Sequence, residues 1–245
     1  MKWQYSYMEH YFSWKKQLDQ DIKSSQSLEE LIELSVFFTH HINFDFFAYS
    51  ICESTPFTRP RTHVFGNYPA LWLKRYKENN YVMIDPTVHH CKGSFEPLRW
   101  SKELFEGCPQ LWLEASGHHL NNGVVQPSFS TRGSIGLLSL SRENNAIDDD
   151  ELETLKPLIK AFAETVSCRI FELDDTLSTA PDIEFREKEK EVLRWTADGK
   201  TSEEIGRILN VTADAVNFHL RNIQKKIGTC NRVQTVTYAV AQGYI

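Results

Sequence analysis

Apolar residues recur with two different periods along the first two-thirds of the chain. Ser27-Leu28-Glu29-Glu30 has the form of a capping box, and Leu28, Leu31, Ile32 and Val36 follow at helical spacing. Phe46 to Cys52 reads as a strand. Pro69 suits the first turn of a helix running to about Asn79, because its missing N–H costs nothing there. Another helix is expected over Gln110 to Leu120. Gly123 to Phe129 and Ser134 to Leu140, joined by Ser130-Thr131-Arg132-Gly133, read as a hairpin. Asp148, Asp149 and Asp150 then favour a helix N-terminus by charge, ahead of a stripe made by Leu152, Leu155, Ile159, Phe162, Val166 and Ile170. Pro157 predicts either a kink in that helix or a start close to it. Helices flanking a small antiparallel sheet predict an α+β sandwich, a shape that can hold a cavity between sheet and helices.

The periodicity stops at Asp174-Asp175-Thr176-Leu177-Ser178-Thr179-Ala180-Pro181-Asp182, a polar stretch with a proline. It divides the chain into an expected domain over 1–173, a linker over 174–183 and a second domain over 184–245. The second domain reads as four short helices. Glu187 to Ala197 ends at Asp198-Gly199. Thr201-Ser202-Glu203-Glu204 forms a capping box, Thr212 caps Ala213 to Ile227, and Asn231 caps the last helix.

Composition changes this picture in three places. The chain is 41% hydrophobic with 15 Phe, 9 Tyr and 6 Trp, enough for a real core and unlike a disordered segment. No apolar run is long enough to cross a membrane and the start lacks a signal peptide, so a soluble cytoplasmic protein with no membrane partner is expected. Five cysteines without a CxxC pair fit reduced thiols. The net charge of −6 argues at first against nucleic acid. Between Lys200 and Arg232, however, six basic residues face three acidic ones, leaving a locally basic element on an acidic body.

That element has helix-turn-helix form: two short helices, the second ending in Arg221, Lys225 and Lys226. Asp214, Asn217, Phe218 and Arg221 are base-reading candidates, with Asn217 suited to adenine and Arg221 to guanine. Lys225 and Lys226 suit phosphates. The alternative is a four-helix bundle with a solvated charged face. Glu189-Lys190-Glu191-Val192-Leu193, Gly199-Lys200-Thr201, Glu204-Ile205, Val216-Asn217-Phe218-His219 and Asn231-Arg232 with Gln234 resemble the DNA-binding domain of the LuxR family. Ala215 departs from that pattern, where the family commonly has Thr. The DNA-contacting set is then Thr201, Thr212, Asp214, Asn217, Phe218, Arg221, Lys225 and Lys226.

The first domain decides which kind of regulator this is. A phosphorylated receiver would open with a strand ending in paired acids, whereas this chain opens with helical patterns. Trp72 and Tyr76 lie four apart on one helix face, and Tyr68 precedes them, held extended by Pro69. An aromatic core stripe explains such spacing but not Asp85 in an apolar setting, where a carboxylate needs donors. Trp72, Tyr76, Asp85-Pro86, Trp100 and Gly123 are spaced as in the autoinducer-binding domain of the LuxR family, a resemblance that extends over nearly the whole chain. Phe12-Ser13-Trp14 and Pro56-Phe57-Thr58-Arg59-Pro60 resemble one particular member, although Ala48 stands where that member has serine.

The resemblance implies a PAS/GAF-like sandwich that binds an N-acyl homoserine lactone. Trp72 would bond the lactone carbonyl, Asp85 the amide N–H and Tyr68 the acyl carbonyl. Ser139 would add a bond, and Tyr76 and Trp100 would wall the ligand. It also implies a homodimer on inverted-repeat promoter DNA, with RNA polymerase as a further partner and no cofactor. Two other readings stay open. Lactones are hydrolysable, but the histidine pairs are poor chelates and no HExxH, nucleophile elbow or GxGxxG is present, so an enzyme is not expected. A signal-independent or heterodimer-forming regulator, with the pocket filled by its own side chains or by a different ligand, is the alternative.

Overall fold

The computed structural model describes residues 2–128, 134–174 and 183–245. The chain falls into two units, Met1–Ser178 and Thr179–Ile245. The expected hairpin turn at Ser130 to Gly133 and all but the ends of the expected linker, 174–183, lie outside the described residues.

In the first unit, α1 (Lys2–Ser24) and α2 (Leu28–His41) precede β1 (Phe46–Glu53) and β2 (Thr62–Gly66). Next come α3 (Ala70–Glu78), a 3₁₀ turn (Tyr81–Met83), α4 (Pro86–Cys91), β3 (Leu98–Arg99) and α5 (Pro109–Ser116). The unit closes with β4 (Asn122–Ser128), β5 (Ser134–Arg142) and α6 (Asp149–Leu173). The strands form one antiparallel sheet in the order β2-β1-β5-β4-β3. Side chains alternate across a sheet, so the two faces have separate partners. Phe47, Tyr49, Ile51, Leu138, Leu140 and Val124 join a core with residues of α1, α2 and α6. Ala48, Ser50, Cys52, Leu137 and Ser139 face the other way, toward α3 to α5.

Local chemistry sets the helix ends. Ser27 Oγ accepts from Glu30 N at 3.1 Å, while the Glu30 carboxylate reaches back past Ser27 to Gln26 N at 2.7 Å. Asp148 caps α6 by accepting from Glu151 N. That helix therefore begins well before Pro157 and continues through it. The ring forgoes one bond, to the carbonyl of the exposed Glu153. The helix expected over Gln110 to Leu120 is shorter than its apolar pattern. His119 takes a left-handed φ of 67°, Leu120 N bonds back to Ala115 O, and Leu120 turns into the core.

The second unit consists of α7 (Glu187–Ala197), α8 (Ser202–Leu209), α9 (Ala213–Ile227) and α10 (Arg232–Ala241). Phe185, Val192, Leu193, Ile205, Val216, Leu220, Ile223 and Ala239 form its core. Both halves of the Thr201/Glu204 capping box are made, and Thr212 and Asn231 cap their helices as the sequence predicts. The turn between α8 and α9 is tight enough to demand Gly206. A Cβ there would stand 2.7 Å from Val211 O.

Candidate ligand pocket and DNA-binding face

Between the second face of the sheet and α3 to α5 lies a cavity of about 80 Å³. Tyr68, Trp72, Tyr76, Asp85, Trp100 and Ser139 all line it, so the fold brings the six sequence-predicted residues together. Trp72, Tyr76 and Tyr81 pack as a triangle, with ring centroids 5.7, 6.2 and 5.8 Å apart. Tyr81 belongs to that group and had no periodic signal, because the 3₁₀ turn carrying it is only three residues long. Phe105, Leu111, Ala115 and Leu120 supply apolar wall from the α5 side. Trp100 lies flat against Gly123, where a Cβ would meet its ring at 2.4 Å. That contact explains a glycine inside β4.

Asp85 is placed by backbone as much as by side chain. It is the N-cap of α4, with Pro86 in the first helical turn. Its Oδ1 accepts from Thr87 N at 2.8 Å and from Thr87 Oγ1 at 2.6 Å, and its Oδ2 accepts from the Tyr76 hydroxyl at 2.8 Å. Two expectations change here. Tyr76 is more than an apolar wall, since its hydroxyl is committed to Asp85. The buried carboxylate also already has three protein donors, two of them supplied by Thr87. A carboxylate offers about four lone-pair sites, so a further donor can still be taken. Burial pushes the Asp85 carboxyl above its ordinary range, and the bonds from Thr87 and Tyr76 oppose that shift. Burial also pushes Tyr76 far up, reinforced by the neighbouring Asp85 charge. By contrast, the Tyr68 hydroxyl and Trp100 Nε1 are buried with no hydrogen-bond partner. The cavity is thus apolar over most of its wall, with the Asp85 carboxylate as its charged acceptor and the Tyr68 hydroxyl and Trp100 N–H as unused donors.

On the second unit, Val216, Leu220 and Ile223 turn one side of α9 into the core. Asp214, Phe218, Arg221 and Lys225 are exposed and share the opposite stripe. Phe218 is 54% exposed, an unusual position for a large aromatic with no core role. Thr201 and Thr212 cap α8 and α9, so both stand at helix N-termini. Two predicted residues are engaged elsewhere. Asn217 is half-buried and its Oδ1 accepts from Ser202 Oγ at 2.7 Å, occupying the oxygen that a bidentate adenine contact needs. Lys226 Nζ donates to Glu189 at 2.7 Å and to Glu184 O at 2.9 Å, and lies 5.6 Å from the Phe185 ring centroid. Burial alone would raise the Glu189 carboxyl, but Lys226 and the Arg186 backbone N–H bring it below its ordinary value. Arg232, counted among the local bases, donates to Lys200 O and lies against Ser202 and Thr196. Arg221 and Lys225 carry the exposed positive charge of this face.

Among the described residues, no group of three or more His, Cys, Asp or Glu side chains is arranged to hold a metal, and no helix is long and apolar enough to cross a membrane.

Comparison with known proteins gives the same division. Residues 27–167 match the autoinducer binding domain, and residues 185–239 match the luxR family of bacterial regulatory proteins. The transcriptional activator protein PhzR of Pseudomonas fluorescens is 53% identical over 222 residues, covering 90% of this chain and 91% of PhzR. The regulatory protein SdiA of Escherichia coli, the member that the Phe12 and Pro56 segments resemble, is 34% identical over 238 residues, covering 96% of this chain and 98% of SdiA. The chain as a whole is therefore more similar to PhzR. A solved structure of SdiA in complex with octanoyl-rac-glycerol superposes with a TM-score of 0.77 at 32% identity, covering 95% of each chain. The cavity, the helix-turn-helix and these matches together place the chain in the LuxR family of transcriptional regulators, with an N-terminal autoinducer-binding domain and a C-terminal DNA-binding domain.

Proposed function

We propose that this regulator reports quorum signals by binding an N-acyl homoserine lactone in the cavity and inverted-repeat promoter DNA as a homodimer. The observation that carries the reading is the Asp85 end of the cavity: a buried acceptor beside Trp72 and an unpartnered Tyr68 hydroxyl, in otherwise apolar surroundings. An acyl homoserine lactone presents the complement, with one amide N–H, two carbonyls and an apolar tail. Asp85 takes the amide N–H, Tyr68 donates to the acyl carbonyl, Trp72 to the lactone carbonyl and Ser139 to the acyl portion, between the rings of Tyr76 and Trp100. Each neutral bond contributes about 1 kcal/mol net, and the one to Asp85 roughly 1.5–3 kcal/mol.

On DNA, the stripe of α9 enters the major groove. Arg221 reads guanine, Asp214 and Phe218 meet neighbouring base edges, and Lys225 holds phosphate. Thr201 and Thr212 contact backbone phosphates from their helix N-termini. Asn217 and Lys226 support the helix from behind. One short recognition helix reads few bases, which favours a two-fold pair on a palindromic site. We assign ligand binding to 1–173, a linker to 174–183 and DNA binding to 184–245. The expected setting is the cytoplasm, with RNA polymerase as a further partner.

The test is a thermal-shift series against acyl homoserine lactones of increasing chain length. A rise in melting temperature with one optimum is expected. No rise with any lactone would overturn the ligand assignment and favour the second reading, a signal-independent or heterodimer-forming regulator. One observation supports that second reading: Asp85 already has a structural role as the α4 cap.

A further inference from the structure

Tyr68 and Ser141 each bury a hydroxyl without a hydrogen-bond partner. Ser141 is 0% exposed. It lies two residues beyond Ser139 on β5, so strand alternation turns both toward the cavity side of the sheet. Ser141 and Ser139 both oppose the burial that pushes the Tyr68 phenol up, which sets their hydroxyls near it, although neither the Tyr68 nor the Ser141 hydroxyl completes a hydrogen bond. The Tyr68 ring is held there by Phe46, edge-on at 6.3 Å, and Phe46 is the β1 partner of Ser141 across the ladder.

An unpaired buried hydroxyl is expensive, and an alanine would fill the Ser141 position without that cost. Serine is accounted for if the two hydroxyls act as a pair. A phenol has one proton. When Tyr68 aims it at a ligand carbonyl, lone pairs of its oxygen are left for another donor, and Ser141 carries one beside it. A donor there fixes the rotation of the phenol O–H and polarises it, as bonds in a chain strengthen one another.

We propose that Ser141 is a positioning residue for signal recognition: its hydroxyl donates to the Tyr68 phenol oxygen, directly or through one buried water, and so points the Tyr68 O–H at the acyl carbonyl. This rests on the reading of the cavity as an acyl homoserine lactone site. Ser139 lines the cavity itself, whereas Ser141 acts only through Tyr68.

A double-mutant cycle on the full-length protein tests it, with dissociation constants measured for N-octanoyl homoserine lactone. Ser141→Ala is expected to weaken binding about fivefold, the equivalent of one neutral hydrogen bond. In a Tyr68→Phe background the same substitution should change nothing. Ser141→Cys, which keeps the volume but is a poor donor, should behave as Ser141→Ala. Equal losses in the two backgrounds would mean a packing role and would overturn the proposal, as would no loss in either. Binding weakened by Tyr68→Phe but untouched by Ser141→Ala would leave the lactone reading standing and remove only this one. Failure of the unsubstituted protein to bind any lactone would remove both.

Discussion

Replacing Asp85 by asparagine changes one atom in the cavity and leaves the fold nearly intact. The retained oxygen still accepts both bonds from Thr87, and the new NH2 replaces the oxygen 2.8 Å from the Tyr76 hydroxyl, which can rotate to accept. Losing a charge at the start of α4 costs about 0.3–1 kcal/mol, offset by removing a buried carboxylate. The bound state suffers more, because the amide N–H of the lactone then meets a donor. A loss of about 2 kcal/mol is expected from the charged bond, close to a thirtyfold rise in Kd. With lactone at about 100 times the original Kd, the unsubstituted protein gains about 2.7 kcal/mol. The variant sits at about three times its new Kd and gains about 0.8 kcal/mol. At about 2–4 °C per kcal/mol, the ligand-induced rise in melting temperature falls from about 5–11 °C to about 2–3 °C. Differential scanning fluorimetry with and without lactone measures both. An undiminished rise in the Asp85→Asn protein would refute the role given to this carboxylate.

Four further outcomes are expected. Ala115→Leu should fill the cavity of about 80 Å³, stabilise the unliganded protein by up to about 2 kcal/mol and abolish the lactone response; a normal response would place the ligand elsewhere. Arg75 and Gln110 hold the Glu114 carboxyl down at about 2, below its ordinary 4.5, so the α3–α5 contact should be fully stabilising above pH 4.5 and lost as pH falls toward 2. Melting curves of Glu114→Gln against the unsubstituted protein across that window should converge at the acid end, and a constant gap would contradict this. Lys225→Ala should weaken DNA binding and lower its salt slope by about 1. Lys226→Ala should instead destabilise the second unit by about 1–3 kcal/mol, since it strands a Glu189 side chain only 3% exposed, the effect being moderated by Lys226's own 34% exposure. Denaturant unfolding and DNA titrations of both variants separate the two roles.

What the sequence made legible was mostly local. Thr201 with Glu204, Thr212 and Asn231 mark helix starts through bonds spanning three residues, and each start is found where that chemistry puts it. The strands β2 and β3 left no trace in the pattern, being five and two residues long, half-buried and at the two edges of the sheet. The six cavity residues were identifiable because the resemblance to the LuxR family marks them, not because periodicity distinguishes a cavity from a core. The neighbours of side chains distant in sequence were not legible. Lys226 meets Glu189 and Asn217 meets Ser202 across 37 and 15 residues, and both pairings engage side chains that the sequence pattern assigns to DNA. Thr87, two residues from Asp85, was within reach of reasoning: an Asp-Pro-Thr start is a capping signal.

If Asp85 holds the signal's amide as proposed, its second duty as the α4 cap restricts how this pocket can diversify. A substitution there that removed the carboxyl group altogether would also unfasten α4 and strand the Tyr76 hydroxyl, so only a near-isosteric change such as asparagine can alter the head site and leave the local fold in place. The opposite wall carries no such obligation: Ala48, Ser50 and Leu137 face the cavity from strands whose backbone pairing is indifferent to side-chain identity. New signal preferences can arise there one residue at a time, giving a receptor with a fixed grammar for the head group and a free vocabulary for the tail.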